Sequence, residues 1–289
     1  MIAFDKMLEA EYISQPQKIR KYLHSLDDVF ISLMAYYTKQ NRIEAAYFPY
    51  IIKKYRVIAY RSFPSIEGAL LELLYEPSIY CRENAMQALY TTGDVDCVLK
   101  AVKIIDCSDL FFHSKLLSDG LLNFSGSSKA FIEDFSCFSA KMQVTILDYF
   151  RFSGGEYQDF ILSLLQNDCL NDEIHYASIR YLGKYPFFKA YETLCRLAQE
   201  GLEQKWQYAA IASTALGSYP GDKTAEILKK NLYSRNWYIR LNSAVSLKNL
   251  GYTYSELSDI IDGKDRYASE IIRYCLQRDY ADEKEAVHA

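Results

Sequence analysis

Paired cysteines are missing from this sequence. Cys81, Cys97, Cys107, Cys137, Cys169, Cys195 and Cys275 make an odd set with no Cys-x-x-Cys among them. That argues against a disulfide framework and fits a reducing compartment, where a thiol in an apolar helix acts as a small hydrophobe. Histidine is scarce, and none of the 4 has ligand spacing to a cysteine pair, which argues against a zinc site. A surplus of positive charge is also absent: 33 Lys and Arg face 37 Asp and Glu, so the net charge of -4 points away from a dedicated nucleic-acid binder. No stretch of about 18 apolar residues occurs, and Met1-Ile-Ala-Phe-Asp-Lys has no leader-peptide core. As written, the chain is expected to be soluble.

Phosphate-binding and nucleophile motifs are lacking as well. Gly154-Gly155 is not followed by Gly-Lys-Ser/Thr, and no Gly-x-Ser-x-Gly elbow exists. Ser125-Gly126-Ser127-Ser128 reads as a turn and helix cap. What is plentiful is apolar material, 50% of the residues, and tyrosine, of which there are 26. Tyrosine buries a ring while its hydroxyl reaches a carbonyl or water, which suits helix seams and also recognition surfaces. An AT-rich coding bias would give the same enrichment.

The second half repeats itself. Leu182-Gly183-Lys184-Tyr185-Pro186 returns 34 residues later as Leu216-Gly217-Ser218-Tyr219-Pro220, and Trp206 returns as Trp237. Two near-matches at about one period indicate a repeated supersecondary unit. Ile174, Ala177, Ser178 and Tyr181 fall at helical spacing, as do Phe187, Ala190, Tyr191, Leu194, Cys195 and Ala198, so each unit reads as two helices. Gly183 is expected to end the first helix in a left-handed conformation and Pro186 to start the second. Trp206 and Trp237 are expected in equivalent, largely buried sites. No segment alternates for long enough to be a strand.

Residues Pro77–Leu89, with Arg82-x-Asn84, followed by Gly93-Asp94, resemble a bacterial HEAT repeat of the phycobilin-lyase-like type. Asn236–Ala244, with Arg240-x-Asn242, is similar in the same register; His175 and Ala209 stand where the arginine would be. The resemblance implies an all-α fold, a right-handed α–α superhelix or solenoid. About six helix pairs are expected over residues 76–280, with first helices near 78–91, 109–123, 140–151, 172–182, 205–217 and 236–250. A closing helix over 266–280 and a frayed tail over 281–289 would follow. Residues 1–75 read as a helical amino-terminal cap, in which Ser25 opens an apolar helix to Tyr37 and a second helix spans about 42–60 around Pro49.

Enzymes of HEAT-like architecture set the tests for chemistry. The iron-binding His-Glu pairs of deoxyhypusine hydroxylases are absent: His24, His113, His175 and His288 precede Ser, Ser, Tyr and Ala. An alkylpurine glycosylase would need a cationic groove, against the acidic balance here, and no bilin-lyase motif stands out. His175 reads as a structural side chain. The expectation is therefore a non-catalytic scaffold without cofactor or metal, cytoplasmic, binding a protein partner along its curved surface. The alternatives are a nucleic-acid-binding HEAT-like protein and an unrecognised enzyme. Some bacterial proteins that the sequence resembles carry an amino-terminal membrane helix, which would tether such a scaffold to the cytoplasmic face.

Two surface features compete for the site. Tyr50-Ile51-Ile52-Lys53-Lys54-Tyr55-Arg56, with Tyr60 and Arg61, interleaves cations with aromatics as phosphate- or membrane-binding segments do. Its plainer reading is one solvated and one buried helix face. The favoured candidate is Lys189, Glu192 and Arg196, which recur 34 residues later as Lys223, Glu226 and Lys230. Both triplets lie on second helices, which line the inner curve of HEAT stacks. Solvated salt bridging is the plainer reading there.

Overall fold

A computed structural model describes residues 2–39, 42–59, 63–200 and 205–287, and every regular element among the described residues is helical. The chain forms two compact units, Met1–Phe152 and Ser153–Ala289. The first carries α1 (Ile2–Ser14), α2 (Pro16–His24), α3 (Asp27–Tyr37), α4 (Arg42–Lys54), α5 (Pro64–Glu72) and α6 (Ile79–Leu89). It continues with α7 (Val95–Cys107), α8 (Ser114–Leu121), α9 (Lys129–Glu133) and α10 (Ala140–Ser153). The second carries α11 (Gln158–Leu165), α12 (Asp172–Lys184), α13 (Tyr191–Glu200), α14 (Trp206–Leu216), α15 (Asp222–Asn231), α16 (Trp237–Asn249), α17 (Ser258–Ile261) and α18 (Arg266–Val287).

Polar side chains set the helix starts. Asp94 accepts from the Cys97 amide at 3.1 Å to open α7, and Gly93, at φ 75°, makes the turn before it. Asn171 and Asn236 open α12 and α16 in the same way. Ser25 does not act as the expected cap: its hydroxyl donates back to the Tyr22 carbonyl, closing α2. The expected helix over 42–60 ends at Lys54, with Tyr60 outside the described residues.

In the first unit α4 lies along α6, and α5 packs on α6 and α7. Phe48, Ile51 and Ile52 of α4 and Tyr55 just after it are buried, as are Ala85, Met86 and Leu89 of α6. The expected seam at 75/76 thus falls inside this unit. In the second unit α12, α14, α16 and α18 pack in succession, while α13 packs on both α14 and α15. The last helix extends to Val287, across most of the expected tail, whose final two residues lie outside the described ones.

The Leu-Gly motif works differently from expectation. Gly183 sits inside α12 without a positive φ. A Cβ there would stand 2.9 Å from Cα of Ala215, and one on Gly217 would stand 2.8 Å from Oγ of Ser246. These glycines let α12 approach α14 and α14 approach α16. By contrast Gly251, which follows α16 after Leu250, does take the left-handed conformation, at φ 88°. Pro186 and Pro220 stand in the connections before α13 and α15 rather than on their first turns.

Candidate interaction surface

All six residues of the charge motif are exposed, Lys189 on the 3-10 turn that leads into α13 and the others on α13 and α15. Their charges join α11 to the 3-10 turn before α13, and α13 to α15. Lys189 pairs with Asp159 of α11 at 2.8 Å, and Lys223 with Glu192 at 2.5 Å. Both of these pairs run between elements that are far apart in sequence. Among the described residues Glu226 and Lys230 form no ion pair. Two of the four cations also cover a ring: Lys189 lies over Phe187 and Lys223 over Tyr191, at 5.2 and 5.9 Å.

The cation-rich segment of α4 is not a free basic surface. Ile51, Ile52 and Tyr55 are buried, and Lys54 is drawn into a cluster with Asp5 of α1. Asp5 accepts from Lys54 at 2.8 Å, from Tyr55 at 2.6 Å and from Tyr47 at 3.0 Å. Burial alone would push the Asp5 carboxyl up, but these three donors outweigh it and hold it below its ordinary value. Burial and the bond to Asp5 push the Tyr47 hydroxyl up to about 12. Arg61, the last cation of that segment, is outside the described residues.

Tyrosines latch turns. The Tyr181 hydroxyl donates to the Gly154 carbonyl and accepts from the Tyr157 amide, at 3.1 and 3.0 Å. Tyr219 does the same one pair later, to Leu182 and Phe187, both at 2.9 Å. These two tyrosines thus serve turns. A second group is open: Tyr238, Tyr267 and Trp237 are exposed at the starts of α16 and α18.

The two tryptophans occupy matching first positions of α14 and α16, but not matching environments. Trp206 packs against Ala209, Ala210 and Ile239 and stacks on Tyr238 at 5.4 Å. Trp237 is 50% exposed, a correction to the expected burial. In the helix that follows, α18, Tyr267 takes Arg240 over its face at 5.2 Å, and among the described residues the one ring against Trp237 is its neighbour Tyr238, edge-on.

His175 is buried at the contact of α12 with α14. Its Nδ1 lies 2.7 Å from the Tyr208 hydroxyl, and its Nε2 lies 3.0 Å from the Asn167 carbonyl. Tyr208 in turn donates to Asp172 at 2.7 Å, and Lys205 reaches the same oxygen at 3.3 Å. The Tyr208 hydroxyl, followed by Lys205, holds the Asp172 carboxyl below its usual range.

In the first unit a cleft of about 300 Å³ lies between the end of α7, the 108–113 loop and the start of α10. Asp106 there accepts from the Ser139 amide at 2.7 Å and from its hydroxyl, while Lys141 lies over Phe111. These contacts fix the start of α10. Burial pushes the thiols of Cys81 and Cys97 up to about 12, so neither supplies a thiolate at neutral pH. No family model matches the chain, and no curated protein matches it.

Proposed function

We propose that this chain is a non-catalytic scaffold of HEAT type that binds a protein partner along its curved surface. The architectural part of the reading is a right-handed α–α superhelix. It is supported by the spacing of α6, α8, α10, α12, α14 and α16, all close to the first helices read from the repeat. Succession of α12, α14, α16 and α18 in the second unit supports it further.

The functional part rests on one observation: six charged side chains stand exposed on neighbouring second helices, with Glu192 and Lys223 joined across them. Exposed pairs of this kind contribute little to stability. Exchanging them for charges on a partner therefore costs little, while the pattern steers and orients the arriving chain. The expected partner is an extended polar segment of mixed charge lying along the inner curve. Trp237, Tyr238 and Tyr267 supply exposed aromatic area of the type that anchors protein interfaces. The proposed setting is the cytoplasm; among the described residues no helix is long and apolar enough to cross a membrane.

Affinity capture from the native cell, with the wild type and the Lys189→Glu, Lys223→Glu double variant side by side, tests the reading. A protein retained by the wild type and lost from a folded double variant is the expected result. Equal retention by both removes the charge rows from the function. A salt-sensitive shift of single- or double-stranded DNA at moderate salt would replace the protein partner with nucleic acid.

A further inference from the structure

Helices α12, α14, α16 and α18 bring their amino-terminal ends to one edge of the second unit. Lys205 and Tyr208, at the start of α14, bond Asp172, the first residue of α12, at 3.3 and 2.7 Å. Trp206 stacks on Tyr238, joining the starts of α14 and α16. Arg240 lies over Tyr267, joining those of α16 and α18. The edge therefore carries Trp206, Trp237, Tyr238 and Tyr267 in succession, and the last three are exposed.

These rings keep their donors free. Elsewhere in the unit Tyr181, Tyr208 and Tyr219 commit their hydroxyls to Gly154, Asp172 and Leu182. Among the described residues the Trp237 indole N–H and the Tyr238 and Tyr267 hydroxyls bond no protein acceptor. The starts of α16 and α18, residues 235–240 and 264–270, hold four cations (Arg235, Arg240, Lys264, Arg266) against two carboxylates, Asp265 and Glu270. Arg266 pairs with Glu270, and Arg240 bonds the Ser234 carbonyl. Arg235 and Lys264 are exposed and form no ion pair among the described residues. Flat rings, free donors and two spare cations result, too few cations to neutralise a run of phosphates.

Helical spacing extends the rings into two tracks. Val245 stands seven residues after Tyr238, and Tyr274 seven after Tyr267, two turns further along the same faces, and both are exposed. Seven helical residues advance about 10 Å. A polyproline II segment turns once in about 9 Å, so it presents a ring to one side at nearly that interval. Its carbonyls are unsatisfied and proline has no N–H, so such a segment accepts hydrogen bonds and offers few.

We propose that this edge binds a proline-rich segment in polyproline II form, with acidic residues beside the prolines to meet Arg235 and Lys264. The inference rests on the protein-binding reading above and adds a second contact, apart from the charge rows on α13 and α15. Proline rings lie against Trp237, Tyr238 and Tyr267, and the segment's carbonyls accept from the indole and the two hydroxyls. Because polyproline II is stiff before it binds, little ordering cost opposes the contact.

Both tryptophans of the chain stand on this edge, so intrinsic fluorescence of the full-length protein reads it without a label. The probe is a synthetic peptide of about ten prolines with glutamates at each end. A saturable change in emission is expected, at least about tenfold weaker when glycine and serine replace the prolines. Trp237→Ala keeps Trp206 as reporter and should weaken binding about tenfold or more, as loss of an aromatic anchor does. Should that variant fail to fold, the indole N–H signals of the wild type in NMR take its place, and at least one should shift with peptide. No response at about 1 mM peptide, or an equal response to the glycine–serine peptide, overturns the proposal. Tighter binding of an oligothymidylate of similar length does so too, in favour of a nucleic-acid platform. Partner capture that depends on Lys189 and Lys223, with no proline binding, keeps the scaffold reading and removes this contact. Proline binding with capture indifferent to those lysines keeps this contact and removes the charge rows.

Discussion

The side-chain amide of Asn242 donates to the carbonyl of Ala210, 2.8 Å away on the preceding first helix. Asn84 makes the corresponding bond to Ala46 of α4 at 3.1 Å. An asparagine two positions after the arginine thus ties one helix to the middle of the one before it, where the carbonyl already accepts within its own helix. Asn242→Ala should lower stability by about 1 kcal/mol, the net contribution of such a bond, while Asn242→Asp should do worse because a carboxylate cannot donate. Urea titration of both variants gives the comparison.

Gly183→Ala tests the close approach of α12 and α14. Alanine is about 1 kcal/mol better than glycine inside a helix, so a gain follows if the helix alone mattered. A Cβ 2.9 Å from the Ala215 backbone instead forces the helices apart. Overpacking of this kind costs about 1–3 kcal/mol, so a net loss is expected from the unfolding midpoint. The paired change Ala215→Gly should not restore it fully, because the contact includes backbone Cα.

The tryptophans should separate under mutation. Trp206→Ala removes a ring packed on Ile239 and stacked on Tyr238, and a loss of about 2 kcal/mol is expected, below the range for fully buried rings. Trp237→Ala should leave stability nearly unchanged, since half the ring is already in water. Equal losses in thermal unfolding would contradict the asymmetry between these two sites.

Asp5→Asn should loosen α1 from α4. At neutral pH it removes charged acceptance from Lys54, Tyr55 and Tyr47, at a cost on the order of 1–3 kcal/mol. Because the Asp5 carboxyl is held below its ordinary value, its contribution is present above about pH 4 and lost as pH falls through the depressed value. Stability curves of wild type and variant should therefore converge on acidification, and a constant gap from neutral to strongly acidic pH would rule out the charge as the cause.

Helix content and most helix positions were legible because they depend on local chemistry. Apolar spacing and the Gly93-Asp94 turn act within a few residues of themselves, whereas the caps Asn171 and Asn236 were read only from the structure. The exposure of Lys189, Glu192, Arg196, Lys223, Glu226 and Lys230 was legible for the same reason, since their spacing sets them opposite an apolar stripe. Their pairing across helices was not, because Asp159 and Glu192 meet their lysines only after separate helices pack side by side.

Sequence alone determined that this chain is helical, roughly where most of its helices lie, and which faces are apolar. Tertiary structure decided what the repeated letters do. Gly183, read as a helix terminator, is a gap that a neighbouring backbone fills, while Gly251 really is a turn with nothing within 4 Å of where its Cβ would stand. Trp206 and Trp237 share a helix position and differ in burial because only one meets a stacking partner in the next helix. Side-chain identity and period are local properties. The cost or gain of a Cβ, a ring or a proton at one position is set by the atoms that a distant part of the chain brings within about 3–4 Å of it.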